Sequence, residues 1–243
     1  MKTVSICQPH FFPWLGYFNM LYNCDEFIFL DNVQYNRRSW QNRVHIYDNY
    51  SITKKKLISL SVIDYHRHKK INDYQISKEN LAYFKDSIYQ TYKDTMFYPN
   101  ISDLLTYNLE KNINNNLAQF NINLIEMLSN YLNIDLKYDL SSKINITNKK
   151  KFLILDILNF KKADSYLAND GSLAYADEHF FSKYKINFKT HNYNHPNYQQ
   201  IFKNKKVKFT SHLSIVDALF HLDKKTEDIV KNFKINFLNF KNI

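Results

Sequence analysis

The chain has 243 residues, with 33 Lys and Arg against 23 Asp and Glu and a formal net charge of +10. Its apolar residues, 44% of the total, are spread along the whole length, which excludes intrinsic disorder and suffices for one sizeable core. No apolar run reaches the roughly 20 residues of a membrane-spanning helix, and two cysteines, Cys7 and Cys24, exclude a disulfide framework or a cysteine-based zinc site.

Taken in chain order, Val4-Ser5-Ile6-Cys7 predicts a short strand that stops at Gln8-Pro9, because proline lacks a ladder N–H and pushes its predecessor out of helical space. Behind Pro13, Leu15, Phe18, Leu21 and Tyr22 recur at helical spacing and predict a first helix. Residues 25–31 form an apolar run bracketed by carboxylates, the pattern of a central strand buried on both faces. Strand, helix and strand in succession predict a βαβ unit with a parallel sheet. Residues 32–56 are polar, aromatic and basic without a sustained period, and read as a functional loop with room for one short strand. Strands are expected at 57–62 and 74–76, and apolar spacing of three and four predicts a helical middle over about 78–132. The Asn-rich run 112–116 within it reads as an exposed helical stretch or a break.

Strand patterns resume at 134–140, 165–168 and 186–188, with helices at 153–160 and 175–184. A short helix at 213–222 has Ser211 or Ser214 as its N-cap, and the tail after residue 224 is expected to pack as a last helix. The expected architecture is α/β: one domain over residues 1–243, built on a mainly parallel Rossmann-like sheet with a helical insertion. The N-terminus lacks the zones of a signal peptide, so a cytoplasmic protein is expected. The lysines fall in short scattered groups rather than one stripe, and the abundance of Asn, Lys, Ile and Tyr fits drift toward AT-rich codons. Nucleic acid is therefore not the expected partner; phosphorylated or sugar-nucleotide substrates, or an acidic membrane surface, match the charge equally well.

Three blocks in order, Ile6-Cys7-Gln8-Pro9-His10-Phe11-Phe12-Pro13-Trp14-Leu15-Gly16-Tyr17-Phe18, then Phe29-Leu30-Asp31-Asn32-Val33-Gln34-Tyr35, then Trp40-Gln41-Asn42-Arg43, resemble the WbqC-like family. Ser165-Tyr166-Leu167-Ala168 with Gly171 and Tyr175, and residues 213–220, resemble its later blocks. The resemblance implies a role in O-antigen, capsule or related glycan biosynthesis. The chain departs from the family pattern at Ala168, where a small polar residue is usual, and at His221-Leu222-Asp223, where an Asn and a Gly are usual.

The residues suggest a chemistry. Ligands in open α/β sheets bind outside the carboxyl ends of the strands, where Gln8 and His10 follow the first strand and Asp31 ends the second. His10 is the candidate general base and Asp31 its candidate orienter or a ligand-binding carboxylate. Gln34, Tyr35, Trp40, Asn42 and Arg43 add amides, rings and a guanidinium suited to a sugar or nucleotide, with Arg43 or Arg38 as a bidentate phosphate grip. Trp14 and Tyr17 stand where some nucleotidyltransferases of similar layout carry phosphate-binding histidines, which argues against ordinary nucleotidyl transfer. Asp217 lies three residues beyond Ser214 and either belongs to a helix cap or holds the Asn42-Arg43 loop by a charge-assisted bond. His66 and His68, with His45 nearby, lack the accompanying carboxylate or cysteine ligands of a zinc site, and His191 and His195 lie four apart among asparagines and Pro196, against a metal-binding helix, so neither metal nor another cofactor is expected. The expected activity is transfer of an acyl or aminoacyl group to a nucleotide-activated amino sugar, with a thioester donor or carrier protein as partner. The alternatives are a non-catalytic module that binds a glycan intermediate or a pathway enzyme, and a nucleotide-handling enzyme.

Overall fold

The computed structural model describes residues 1–172 and 177–232. Five strands, β1 (Thr3–Cys7), β2 (Glu26–Phe29), β5 (Tyr138–Leu140), β6 (Ser165–Ala168) and β7 (Asn187–Thr190), form one sheet in the order β5-β2-β1-β6-β7. Every neighbouring pair is parallel. The expected α/β class and parallel sheet are therefore present. Read in chain order, the sheet grows outward from β1 to one side and then restarts with β6 on the other, so the order reverses between β1 and β6.

The period of two along the strands assigns residues to the two faces. Phe27, Phe29 and Leu167 enter the larger core, with helix α1 (Leu15–Tyr22), the helical middle and α7 (Ile215–Leu222). Val4, Ile6, Ile28, Tyr166 and Ala168 enter a smaller core with α5 (Lys150–Phe160) and Phe181 of α6 (Glu178–Ser182). Both faces are covered, which is why the central strands β1, β2 and β6 are almost wholly buried, while the edge strands β5 and β7 carry polar residues.

The chain between β2 and β5 is the insertion. It opens with an antiparallel hairpin, β3 (Arg43–Tyr47) and β4 (Lys55–Ser59), and continues as α2 (Lys78–Tyr92), α3 (Tyr98–Asn112) and α4 (Leu117–Tyr131). The Asn-rich run is a break, and Asn116 accepts from the Gln119 N–H to cap α4. Residues 74–76 contribute an isolated bridge between Val62 and Ile76 rather than a strand. A small hairpin, β8 (Ile201–Phe202) with β9 (Lys205–Lys206), follows the sheet. Ser214 is the N-cap of α7, accepting from the Val216 N–H at 3.2 Å. The chain then turns into α8 (Thr226–Lys231). The start of the helix expected at 175–184, with Tyr175, and the tail beyond residue 232 lie outside the described residues.

Candidate functional site

A cleft of about 680 Å³ opens where the strand order reverses. Its floor is Cys7 at the end of β1 and Gln8 after it, Leu30 after β2, Asn169, Gly171 and Ser172 after β6, and His191 after β7. This is the crevice that a sheet with reversing order leaves between connections that depart in opposite directions. His10, Trp14 and Tyr17 come from the first loop and helix, and Trp40, Arg43, His45 and Lys55 from the insertion. His212 and Ser214 come from the segment before α7.

The first loop is held in an uncommon conformation. Phe12 has φ 39°, in the left-handed region that a bulky residue seldom enters. The loop is pinned from several sides: Phe11 N–H donates to the Trp40 carbonyl at 2.9 Å, and Asn121 Nδ2 donates to the Pro9 carbonyl at 3.0 Å. Ser214 Oγ donates to the Phe12 carbonyl at 2.8 Å, and Ile215 N–H to the Pro13 carbonyl at 3.0 Å. Ser214 N–H also donates to the His45 carbonyl at 2.8 Å. One segment near the C-terminus thus clamps the first loop to the hairpin. Gly16 leaves room for the Trp14 indole in this position, because a Cβ there would stand 2.5–2.8 Å from it. The indole lies across the start of α1 and stacks on His212 at 5.2 Å between ring centres.

Six of the residues expected in the site meet in this cleft: Gln8, His10, Trp14, Tyr17, Trp40 and Arg43. Gln8 Oε1 accepts from Gln41 Nε2 at 3.0 Å, and its carbonyl accepts from Tyr17 OH at 2.9 Å. His10 lies 5.2 Å from the Tyr17 ring and has no hydrogen-bond partner among the described residues. Burial pushes its pKa down to about 4, so the imidazole is neutral at physiological pH.

The other six are placed elsewhere. Asp31 is buried, and its carboxylate accepts from Ser141 Oγ at 3.1 Å, Ser142 N–H at 2.9 Å and Ser142 Oγ at 2.6 Å. It fastens the end of β2 to the turn after β5 and does not line the cleft with His10. Leu30 lines the cleft, while Asp31 sits in the turn after β2, its N–H donating to the Phe29 carbonyl at 2.9 Å and its carboxylate facing the turn after β5. Asn42 donates to the Leu60 carbonyl at 2.6 Å, Tyr35 is buried against Tyr74, and Gln34 and Arg38 are exposed outside the cleft.

Asp217 is fully buried. Its carboxylate accepts from Tyr92 OH at 2.9 Å, Tyr198 OH at 2.6 Å and Gln200 Nε2 at 2.8 Å. It neither caps α7, which Ser214 does, nor bonds to Asn42 or Arg43; it ties α7 to α2 and to the chain after β7.

Sequence reasoning missed Lys55, His45, His191 and His212 as cleft residues. The signal for His45 was available. Arg43 and His45 alternate along β3, so both present one face, and Lys55 joins them across the hairpin beside its partner Tyr47. Burial lowers the pKa of His45 and of His212, and the nearby Lys55 ammonium lowers both further. Burial also pushes Cys7 up to about 12, so its thiol stays protonated. No Asp or Glu appears among the described lining residues.

Residues 8–229 match the profile of the WbqC-like protein family. The chain belongs to the WbqC-like family. An uncharacterized protein of Mycobacterium tuberculosis is 25% identical over 234 residues, covering 95% of this chain and 98% of that protein. No solved structure matches. The family match begins at Gln8 and runs past α7, so it contains both the first loop and the Ser214 segment that clamps it. Among the described residues no helix is long and apolar enough to cross a membrane.

Proposed function

We propose that this WbqC-like protein acts in glycan biosynthesis, transferring an acyl or aminoacyl group from a thioester to the amine of a nucleotide-activated sugar. The observation that carries this reading is the cleft at the strand-order reversal, which combines a neutral imidazole, His10, with indoles and cationic side chains. Its volume of about 680 Å³ falls in the range of small-molecule and cofactor sites.

In the proposed reaction the sugar amine attacks the thioester carbonyl, the new C–N bond forms and the C–S bond breaks. His10 takes the proton from the nitrogen, which is cationic in the tetrahedral intermediate and therefore acidic enough for a weak base. That proton then passes to the departing sulfur, so the products are the amide and a free thiol. Cys7 is unsuited to a covalent intermediate, because its buried thiol does not ionise at working pH. Transfer is thus direct.

A second reading, a binding module without turnover, is favoured by the absence of an orienting partner on His10 among the described residues and by Asp31 facing away. One experiment separates the two. Purified protein is incubated with a panel of nucleotide amino sugars and acyl thioesters, and products are read by mass shift. Direct transfer predicts a new amide and a drop of at least about 100-fold with His10→Gln, as for loss of a general base. Binding of a nucleotide sugar without any mass shift across the panel withdraws the transferase reading in favour of the module.

A further inference from the structure

Inside the cleft, one group of side chains has an electrostatic balance that the transfer chemistry does not account for. Lys55 on β4 has no hydrogen-bond or ion-pair partner for its Nζ among the described residues, although ion pairs occur elsewhere, as at Lys161 with Glu26 and Asp139. Arg43 lines the same wall, and its Nε is enclosed without a partner. His45 lies between them on β3, and His212 faces the group from the segment before α7. His195, from the loop after β7, also stacks against Trp14, and its ring lies 5.2 Å from that of His212. The Lys55 ammonium depresses the basicity of His45, His195 and His212, which places all three imidazoles within its field. A donor set of two permanent cations and several imidazoles, with no carboxylate among the described lining residues, is incompletely satisfied by the protein itself. The enclosed Arg43 Nε lacks an acceptor within the protein, which a ligand in the cleft can supply.

We infer that Lys55, Arg43, His45 and His212 form a subsite for a diphosphate, set against the Trp14 and Trp40 rings. A diphosphate offers several oxygens to a guanidinium fork and an ammonium, the two side chains suited to it. Trp14 is held over Gly16 by stacking on His212, and Trp40 meets His45 edge-on at 5.1 Å. Each indole is adjacent to a cationic or imidazole member of the group, which suits a ligand carrying an aromatic base beside its phosphates. The subsite rests on the cleft being the ligand site, but not on acyl transfer.

Both partners of the proposed transfer can carry a diphosphate, a nucleotide sugar directly and a thioester donor through its coenzyme. Calorimetric titration of the full chain with inorganic pyrophosphate, uridine diphosphate and coenzyme A distinguishes the sources. The expected result is binding of pyrophosphate that weakens about tenfold or more in Lys55→Gln and in Arg43→Gln, as for loss of a charge-assisted contact. Uridine diphosphate binding more tightly than coenzyme A assigns the subsite to the sugar nucleotide; the reverse assigns it to the donor. Lys54→Gln removes the same charge one residue away, outside the cleft lining, and is expected to bind as the parent does. Melting curves establish that each variant is folded. Two results overturn the inference: no pyrophosphate binding at millimolar concentration by the parent, or equal weakening in Lys54→Gln and Lys55→Gln. Pyrophosphate binding without turnover in the mass-shift panel leaves the subsite standing and removes only the transferase reading.

Discussion

At Asp217 one carboxylate receives two tyrosine hydroxyls and one amide in a site closed to water. Replacement by Asn keeps the size but puts an NH₂ in place of one oxygen, facing the Tyr92 hydroxyl in one orientation and the Tyr198 hydroxyl and Gln200 amide in the other. The Gln200 amide cannot turn to accommodate it, since its Oε1 already accepts from Thr210 N–H and its Nε2 also bonds the Thr210 carbonyl. Asp217→Asn is therefore expected to lose about 2–4 kcal/mol of stability, measured by urea unfolding, while the folded protein binds pyrophosphate as the parent does. Unchanged unfolding with weakened binding would contradict this and return Asp217 to the site. Gly16→Ala is the opposite case. Its methyl group displaces the Trp14 indole from its place beside His212, so uridine diphosphate affinity should fall several-fold with little loss of secondary structure by circular dichroism.

Among the elements, the segment before α7 has the widest reach, because Ser214 both caps its helix and holds the first loop and the hairpin. Ser214→Ala removes the cap and the Phe12 bond together and is expected to cost about 1–2 kcal/mol. It should also weaken pyrophosphate binding, because the hairpin wall and the first loop lose their common anchor; thermal melts and titration of the same variant check both. The sequence narrowed the cap to Ser211 or Ser214 and placed His10 beyond β1, because local pattern marks a strand's end and a helix's start. Legibility failed where the answer depended on azimuth or on distant pairing. The strand was expected to run to Asp31 but ends at Phe29, and the outward turn of Asp31 after it is settled by packing. Lys55 enters the cleft only through the register of β3 with β4, and His212 only through the docking of a segment about 200 positions away.

For the molecule as a whole, buried imidazoles set the response to acid. His10, His191 and His195 are each held near 4 rather than 6.5, chiefly by burial. Their stabilising effect is complete above pH 6.5. As pH falls from 6.5 toward 4 the unfolded chain takes up protons that the folded chain refuses, and stability drops by up to about 1.4 kcal/mol per pH unit for each histidine, less at the partly open His10. The melting temperature should therefore decline steadily between pH 7 and pH 5; a flat profile would show these imidazoles to be solvated. The fold class was readable from the alternation of strands and helices at both ends of the chain, whereas the cleft's second wall was hidden inside a stretch without period. The bond between Ser214 and Phe12, 202 positions apart, bears on synthesis as well as stability. A nascent chain exposes its Gln8-to-Pro13 loop about 200 residues before the Ser214 that holds Phe12 at positive φ. Fragments that stop before residue 214 carry the residues of the first loop without the contact that shapes it.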